Sequence, residues 1–570
     1  MYDYVIVGAG SAGCVLANRL TEDPDVSVLL IEAGPPDTVD NIHVPIAFGQ
    51  LFRTQVDWDY STAFEPFANR RRIYIPRGKV LGGSSSINAM VYIRGNPADY
   101  DQWRDAGGCE GWGFAELLPY FLRAEHNERG ASEYHAAGGP LTVSDPRSPN
   151  PISDAFLAAC GAAGLHANDD FNGAHQDGVG YYQLTQRDGR RCSAALAYLH
   201  PATARPNLTV ETHLQVHRVM FDGSRAVGVA GARLSEPFHA RAQREVILCA
   251  GTYNSPQLLM LSGVGPAAIL TLAQIPVVAD LPAVGQNLQD HPACGFGWGH
   301  DQEISLASAM TEANVLEFAQ HGRGPLTSNV AEAGGFVRTS SELPAPDIQF
   351  HAAPALYVDE GLTPIVAHGF GFAPCVITPA SRGMVLIASP DPTAKPYILH
   401  NYYSDDADMR TMIDALRLAL DIARQRELEP FTTHPYYDMP ASESDDDLRA
   451  YIRQQTFTLY HPVGTCRMGA HADPAAVVDP LLRVRGVDAL RVVDASVMPT
   501  VPRGNTNAPT IAIAERAADL IRGRPAPVGA SVAGAVAGAV AVAGAGAGAA
   551  GSGGAAGSGG AAAGAGVASG

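Results

Sequence analysis

The chain opens with MYDYVIVGAGSAG, and these residues constrain its fold more than any other stretch. Tyr4–Val7 is a short β-branched and aromatic run, the composition of a buried strand. Gly8, Gly10 and Gly13 follow in G-x-G-x-x-G spacing. The first glycine permits a tight turn, the second lets the backbone approach a pyrophosphate, and the third lets the next helix pack on the strand. Phosphate then sits at a helix N-terminus, where free N–H groups and the macrodipole favour negative charge. The same letters also suit a glycine-rich turn that holds no ligand. Context separates the two readings. A strand precedes the motif, and a second strand, SVLLIE, ends in Glu32, 19 residues beyond Gly13. A carboxylate there suits a ribose diol and disfavours a 2′-phosphate. A Rossmann-type dinucleotide site is predicted, with NAD and FAD both open.

At 570 residues and 46% hydrophobic, the chain suits a large globular protein of two or three domains. A net charge of −19 argues against a general nucleic-acid binder and against docking on anionic lipid by charge alone. Cys14, Cys109, Cys160, Cys192, Cys249, Cys294, Cys375 and Cys466 are scattered without a C-x-x-C pair. Neither a zinc ribbon nor a disulfide framework is indicated, and a reducing, cytoplasmic compartment is expected. Because the sequence opens directly on the first strand, no signal peptide is expected. Residues 525–570 hold only Ala, Gly, Val, Ser and Pro. With few bulky groups to offset ordering entropy, they are expected to form a disordered tail. Ala530–Ala550 has the length of a membrane span, but Ala and Gly give little transfer energy and no aromatic belt flanks it.

Two further glycine-rich stretches are PRGKVLGGSSSINAMVYIRG, residues 76–95, and GTYNSPQLLMLSGVGP, residues 251–266. Both offer backbone with small side chains, which lets a flat ring or a diphosphate come close. The second follows the strand EVILCAG, and its Asn254–Ser255–Pro256 reads as a helix start. Alone, each is compatible with turn chemistry. Together with VGQNLQDHP at 284–292, HPVGTCRMG at 461–469 and VVDASVMPTVPRGNTNAPTIAIAERAADLI at 492–521, they carry a resemblance. Over roughly residues 2–523 the chain resembles the glucose–methanol–choline (GMC) family of FAD-dependent oxidoreductases, in particular its choline-dehydrogenase-like branch of bacterial alcohol dehydrogenases.

The resemblance implies an α/β and α+β fold. A discontinuous Rossmann-type FAD-binding domain would come from residues 1–155, 195–295 and 456–524, the last carrying the active site. A substrate domain of antiparallel sheet plus helices would come from residues 156–194 and 296–455. Within it, ADMRTMIDALRLALDIARQ spaces Met409, Ile413, Leu416 and Leu420 as a core-facing stripe. By the same resemblance, Gly8, Gly10, Ser11 and Gly13 would hold the FAD pyrophosphate and Glu32 the ribose. Gly83, Asn88, Ala89, Met90 and Val91 would lie along the flavin, and Val216 would meet adenine through its backbone. Asp494 and Ala495 would meet the ribitol–diphosphate region, and Asn505, Thr506 and Asn507 would close on the ring. Some family oxidases attach FAD through a histidine where this chain has Ile87, so non-covalent FAD is expected.

In YHPVGTCRMG, the residues alone leave His461 open as a metal ligand with Cys466, a satisfied pocket histidine or a base. The resemblance places it at the flavin, facing a substrate alcohol. Alcohol oxidation needs the hydroxyl proton removed as hydride leaves the α-carbon, and a neutral imidazole with an unperturbed pKa of about 6.5 suits that task. Asn505 would hold the alcohol oxygen without competing for the proton. No metal is expected, and His351 and Tyr460 are expected on the substrate side. The substrate would be a primary alcohol, aryl or choline-like, going to the aldehyde. Choline asks for an aromatic cage or a carboxylate. Ala331 stands where choline oxidases carry a tryptophan, with Glu332 beside it. The electron acceptor is open among a quinone, a cytochrome, a dye and oxygen. The oligomeric state is open too, and the location is the cytoplasm or the inner face of the membrane. The alternative is a hydroxynitrile-lyase-like enzyme of the same fold, with FAD silent in redox terms.

Overall fold

The computed structural model describes residues 1–363 and 367–527. All but the first three residues of the expected tail therefore lie outside the described residues. Tyr2–Val7 is the middle strand of a parallel sheet ordered Leu208–Glu211, Val28–Ile31, Tyr2–Val7, Glu236–Leu248, Leu490–Val492. Val5 and Ile6 are fully buried, which explains a continuous apolar run in place of an alternating one. The Glu236–Leu248 strand serves two layers. Its last residues join the parallel sheet, and its first half pairs antiparallel with Arg225–Arg233, which pairs in turn with Leu214–Asp222. The helix Ser11–Leu20 rises from the glycine turn and packs against Asn507–Arg522.

A second, antiparallel sheet is ordered His434–Pro435, Phe296–Gly299, Gly369–Val376, Ile348–Ala353, Ala333–Val337, Gly178–Tyr181. Helices Pro151–Ala162 and Asp406–Ala423 share its core. Met409, Ile413, Leu416 and Leu420 are all buried there, as their spacing predicts.

Local signals move the expected boundaries. The helix Pro151–Ala162 runs across 155/156, because Asn150 caps it by accepting from the Ile152 amide and Pro151 opens its first turn. Pro292–Ala293 pairs with Phe457–Thr458 and extends the antiparallel sheet beyond 296 and 455. In the central segment the helix spans Gly251–Leu261, so it begins before Asn254–Ser255–Pro256. Pro256 lies inside it and cannot donate to the Thr252 carbonyl; that oxygen accepts from Thr465 Oγ1 at 2.6 Å instead. All eight cysteines are buried and unpaired. No helix among the described residues is long and apolar enough to cross a membrane.

Candidate active site

A cavity of about 620 Å³ is lined by residues of both sheets and of the segments joining them. That size suits a small-molecule or cofactor site. Its wall carries Gly8, Gly10, Ser11, Glu32, Gly83, Asn88, Ala89, Met90, Val91, Val216, Asp494, Ala495, Asn505, Thr506 and Asn507, together with His351, Tyr460 and His461. Gly13, expected at the pyrophosphate, stands behind the wall. A Cβ there would lie 1.9 Å from the Gly8 carbonyl oxygen, so Gly13 is the residue that lets the helix seat on the turn.

One end of the cavity is built from backbone. Gly83 adopts a φ of +54°, and a Cβ on it would come within 2.7 Å of the Gly10 Cα. Two bare main chains thus meet at the wall. The helices Ser11–Leu20 and Asn507–Arg522 bring their N-termini to the same place, joined by the Ser11 hydroxyl donating to Asn507 Oδ1 at 2.7 Å. Their free N–H groups suit a diphosphate. Glu32 accepts from the Ala9 and Gly34 amides, each at 2.9 Å. Burial pushes its carboxyl up to about 7, and hydroxyl donors such as a ribose diol would favour the charged form. Asp494 accepts from the Gly251 amide at 2.9 Å and the Ser255 hydroxyl at 2.6 Å, and burial raises it above the usual carboxylate range. An open glycine backbone, two helix N-termini and a wall carboxylate fit a flavin dinucleotide. Ile87 lies on the wall and offers no nucleophile to it.

The other end holds His461. Its backbone N–H donates to Asp290 Oδ1 at 2.8 Å, and its Nδ1 lies 3.0 Å from His291 Nδ1. Its Nε2 faces Asn505 Nδ2 at 3.1 Å. The hydrogen-bond directions follow from one fixed donor. Tyr182 donates its hydroxyl hydrogen to the Phe350 carbonyl, so its oxygen accepts from Gln349 Nε2 at 3.3 Å. Gln349 Nε2 also donates to Asn505 Oδ1 at 3.2 Å. That turns the Asn505 amide so that Nδ2 donates to His461 Nε2, which must carry a lone pair. The remaining ring hydrogen then sits on Nδ1 and is donated to His291.

Burial drives the electrostatics of this end. It holds His461 well below the ordinary histidine range, and the cost of a second charge beside His291 or His351 and the charge of Arg77 act in the same direction. The same desolvation brings His291 down to about 4 and His351 to about 3. The imidazole is thus more strongly held in its neutral form than the unperturbed value implies. Neither ring nitrogen of His351 has a hydrogen-bond partner among the described residues. The Tyr460 hydroxyl lies 2.5 Å from that of Tyr357, and both rings face the cavity with Phe52.

The N- and C-terminal sequence patterns of the GMC oxidoreductases match residues 2–293 and 379–514. The chain belongs to the GMC oxidoreductase family. This GMC oxidoreductase is 46% identical over 532 residues to the alcohol dehydrogenase (acceptor) of Pseudomonas putida, covering 91% of this chain and 96% of that one. It is 44% identical over 537 residues to the mitochondrial choline dehydrogenase of Homo sapiens, covering 92% and 90%. Among solved structures, pyridoxine 4-oxidase from Mesorbium loti matches with a TM-score of 0.84 at 34% identity, covering 92% of this chain and 100% of that one. The protein is an enzyme, an FAD-dependent oxidoreductase that acts on alcohols.

Sequence reasoning missed part of this oxidoreductase's site. His291, Asp290 and Gln349 carry no signal of their own along the chain, although QDHP belongs to the family-like segment 284–292. Nothing along the chain pairs His291 with a residue 170 positions away. Glu332 is turned off the cavity, accepting from the Asn150 amide at 2.8 Å and the hydroxyls of Ser153 and Ser328. It offers no carboxylate to a substrate, whereas Ala331 beside it lines the wall.

Proposed function

We propose that the enzyme oxidises a primary alcohol, aryl or choline-like, to its aldehyde, with His461 as the base and Asn505 holding the alcohol oxygen. The observation that carries this reading is the 3.1 Å approach of His461 Nε2 to Asn505 Nδ2 on the cavity wall. An alcohol entering there takes Asn505's place at Nε2, donating its hydroxyl hydrogen to that lone pair and accepting the hydrogen that Asn505 Nδ2 thereby frees. FAD, when bound, supplies the two-electron acceptor for the hydride that leaves the α-carbon. The chain's own residues do the rest. Asp290 and His291 fix the position and tautomer of the imidazole. Burial keeps it neutral, so it is ready to take a proton at physiological pH. Asn505 steadies the negative charge that grows on oxygen as the proton leaves. Tyr357, Tyr460 and Phe52 present an aromatic wall that keeps water from the reacting carbon.

The cofactor is held without a covalent bond, since Ile87 has no atom to attach it. Eight buried, unpaired cysteines support a reducing compartment. The test is the visible spectrum of the purified protein under anaerobic titration with a panel of alcohols, choline and pyridoxine included. Bleaching of the flavin bands by one of them supports the reading and names a substrate. Admitting air then separates an oxygen-using enzyme from one that needs a quinone, a cytochrome or a dye. Flavin bands that no alcohol bleaches, with cyanide released from a cyanohydrin, would replace this reading with the lyase.

A further inference from the structure

Arg191 is fully buried, yet among the described residues no acidic side chain offsets its charge. Its surroundings contrast with those of Arg94, equally buried, which pairs with Glu125 at 2.9 Å. Arg191 donates only to neutral groups. Nε donates to the Ile42 carbonyl at 2.7 Å, and Nη1 to the Ser85 carbonyl at 3.1 Å and Asn88 Oδ1 at 2.7 Å, while Nη2 has no partner. Ser85 and Asn88 are both cavity-wall residues. Asn88 Oδ1 also accepts from the Met90 amide at 3.1 Å, so its oxygen is fully engaged on the protein side. The guanidinium thus stands one residue behind the cavity, on the side read as the flavin's. An uncompensated cation in a dry interior is strongly unfavourable. Such a group persists where something bound nearby supplies the missing negative charge.

We propose that Arg191 is the electrostatic positioning residue of this cavity, its unpaired positive charge favouring the negative charge that accumulates there when FAD is reduced. The inference rests on the reading of the cavity as the FAD site. A hydride brings two electrons and one proton, so its arrival adds one net negative charge, while the alcohol's other proton passes to His461. The Arg191 charge is present before the electrons arrive and needs no reorganisation when they do. At an effective dielectric of about 20, a unit charge changes such an equilibrium by roughly tenfold or more at any separation up to about 12 Å.

The experiment compares wild type with Arg191→Met, Arg191→Gln and Arg191→Lys, each reduced slowly beside a reference dye while both spectra are read. The neutral variants are expected to lower the equilibrium constant for reduction at least tenfold, about 30 mV for a two-electron couple. The lysine variant keeps the charge but loses most of the hydrogen bonds, and is expected to stay within threefold of wild type. A residue that merely tethers Ile42, Ser85 and Asn88 would show the lysine variant shifted as far as the methionine one. A charge facing the diphosphate would weaken FAD binding in the neutral variants and leave the potential unchanged. Either result overturns the proposal. If neither neutral variant retains FAD, the lysine variant decides: a wild-type potential supports the charge, and a shift of tenfold or more sinks it. A wild-type protein that takes up no FAD fails earlier, at the reading of the cavity itself.

Discussion

His135 makes a sharp test of how much one buried charge cluster contributes to this fold. Its Nδ1 meets Glu125 Oε1 at 3.1 Å and its Nε2 meets Asp170 Oδ2 at 3.0 Å, with the ring almost fully buried. Glu125 is also held by Arg94. Burial works against charge on the imidazole, but the carboxylates of Asp170 and Glu125 outweigh it and push His135 up to about 9. A rise from the ordinary 6.5 to about 9 corresponds to roughly 3.4 kcal/mol at about 1.36 kcal/mol per pH unit. Because Asp170 is partly open to solvent, about 2 kcal/mol is the more realistic figure. The folded value lies above the unfolded one. The contribution is therefore full below about pH 6.5 and is lost as pH rises through about 9. Spread over roughly 520 folded residues, an unfolding entropy of about 2.1 cal/mol/K per residue turns about 2 kcal/mol into about 2 °C. The assay is thermal unfolding of wild type and His135→Gln at one fixed scan rate, since a chain of this size often unfolds irreversibly. The variant should melt about 2 °C lower at pH 6 and within roughly 0.5 °C of wild type at pH 10. An equal deficit at both pH values would refute the reasoning and leave packing, not charge, as the cause.

Replacing His461 by Gln should slow flavin bleaching by the best alcohol about 10²- to 10⁴-fold, the usual span for a lost general base, with FAD still bound; anaerobic stopped-flow absorbance reads both. Because burial holds His461 well below its ordinary range, the base is protonated only in acid, and kcat/KM should fall on the acid side below pH 6.5. A rate already halved at pH 7 by one protonation would contradict this. Gly13→Ala should destabilise the fold by roughly 1–3 kcal/mol or more and reduce the FAD retained on gel filtration, because its Cβ would sit 1.9 Å from the Gly8 carbonyl oxygen. Acid precipitation should leave yellow flavin in the supernatant, and a yellow pellet would mean a covalent link at a residue other than Ile87.

The parts of this molecule that were legible in its sequence are those in which a short stretch carries its own physical constraint. Gly8 and Gly13 announce a turn and a close approach because a Cβ would lie 2.4 Å from the Cys249 carbonyl oxygen at the first and 1.9 Å from the Gly8 carbonyl oxygen at the second. The stripe Met409, Ile413, Leu416, Leu420 announces a buried face because its spacing matches the helix. Even so, local signals misled where two of them competed. Pro256 read as a helix start, but the Thr465 hydroxyl satisfies the carbonyl that the proline leaves free, and the helix begins at Gly251. Asn150 and Pro151 form a proper helix start that a domain boundary drawn at 155/156 ignored.

What the chain could not disclose are relations among distant residues whose local sequence is unremarkable. The orientation of the Asn505 amide is set by Gln349, and that of Gln349 by Tyr182, which in turn is fixed by the Phe350 carbonyl. Four residues from three segments thus decide where one lone pair on His461 points. The same holds for Arg191. Nothing in GRRCSAALAYL marks Arg191 as buried, and only the fold shows that it lies behind Asn88 with no acid beside it among the described residues. A motif names the chemical groups of a site. Their protonation states belong to the packing around them, and for both His461 and Arg191 it is burial, which no spacing encodes, that gives the group its chemical character.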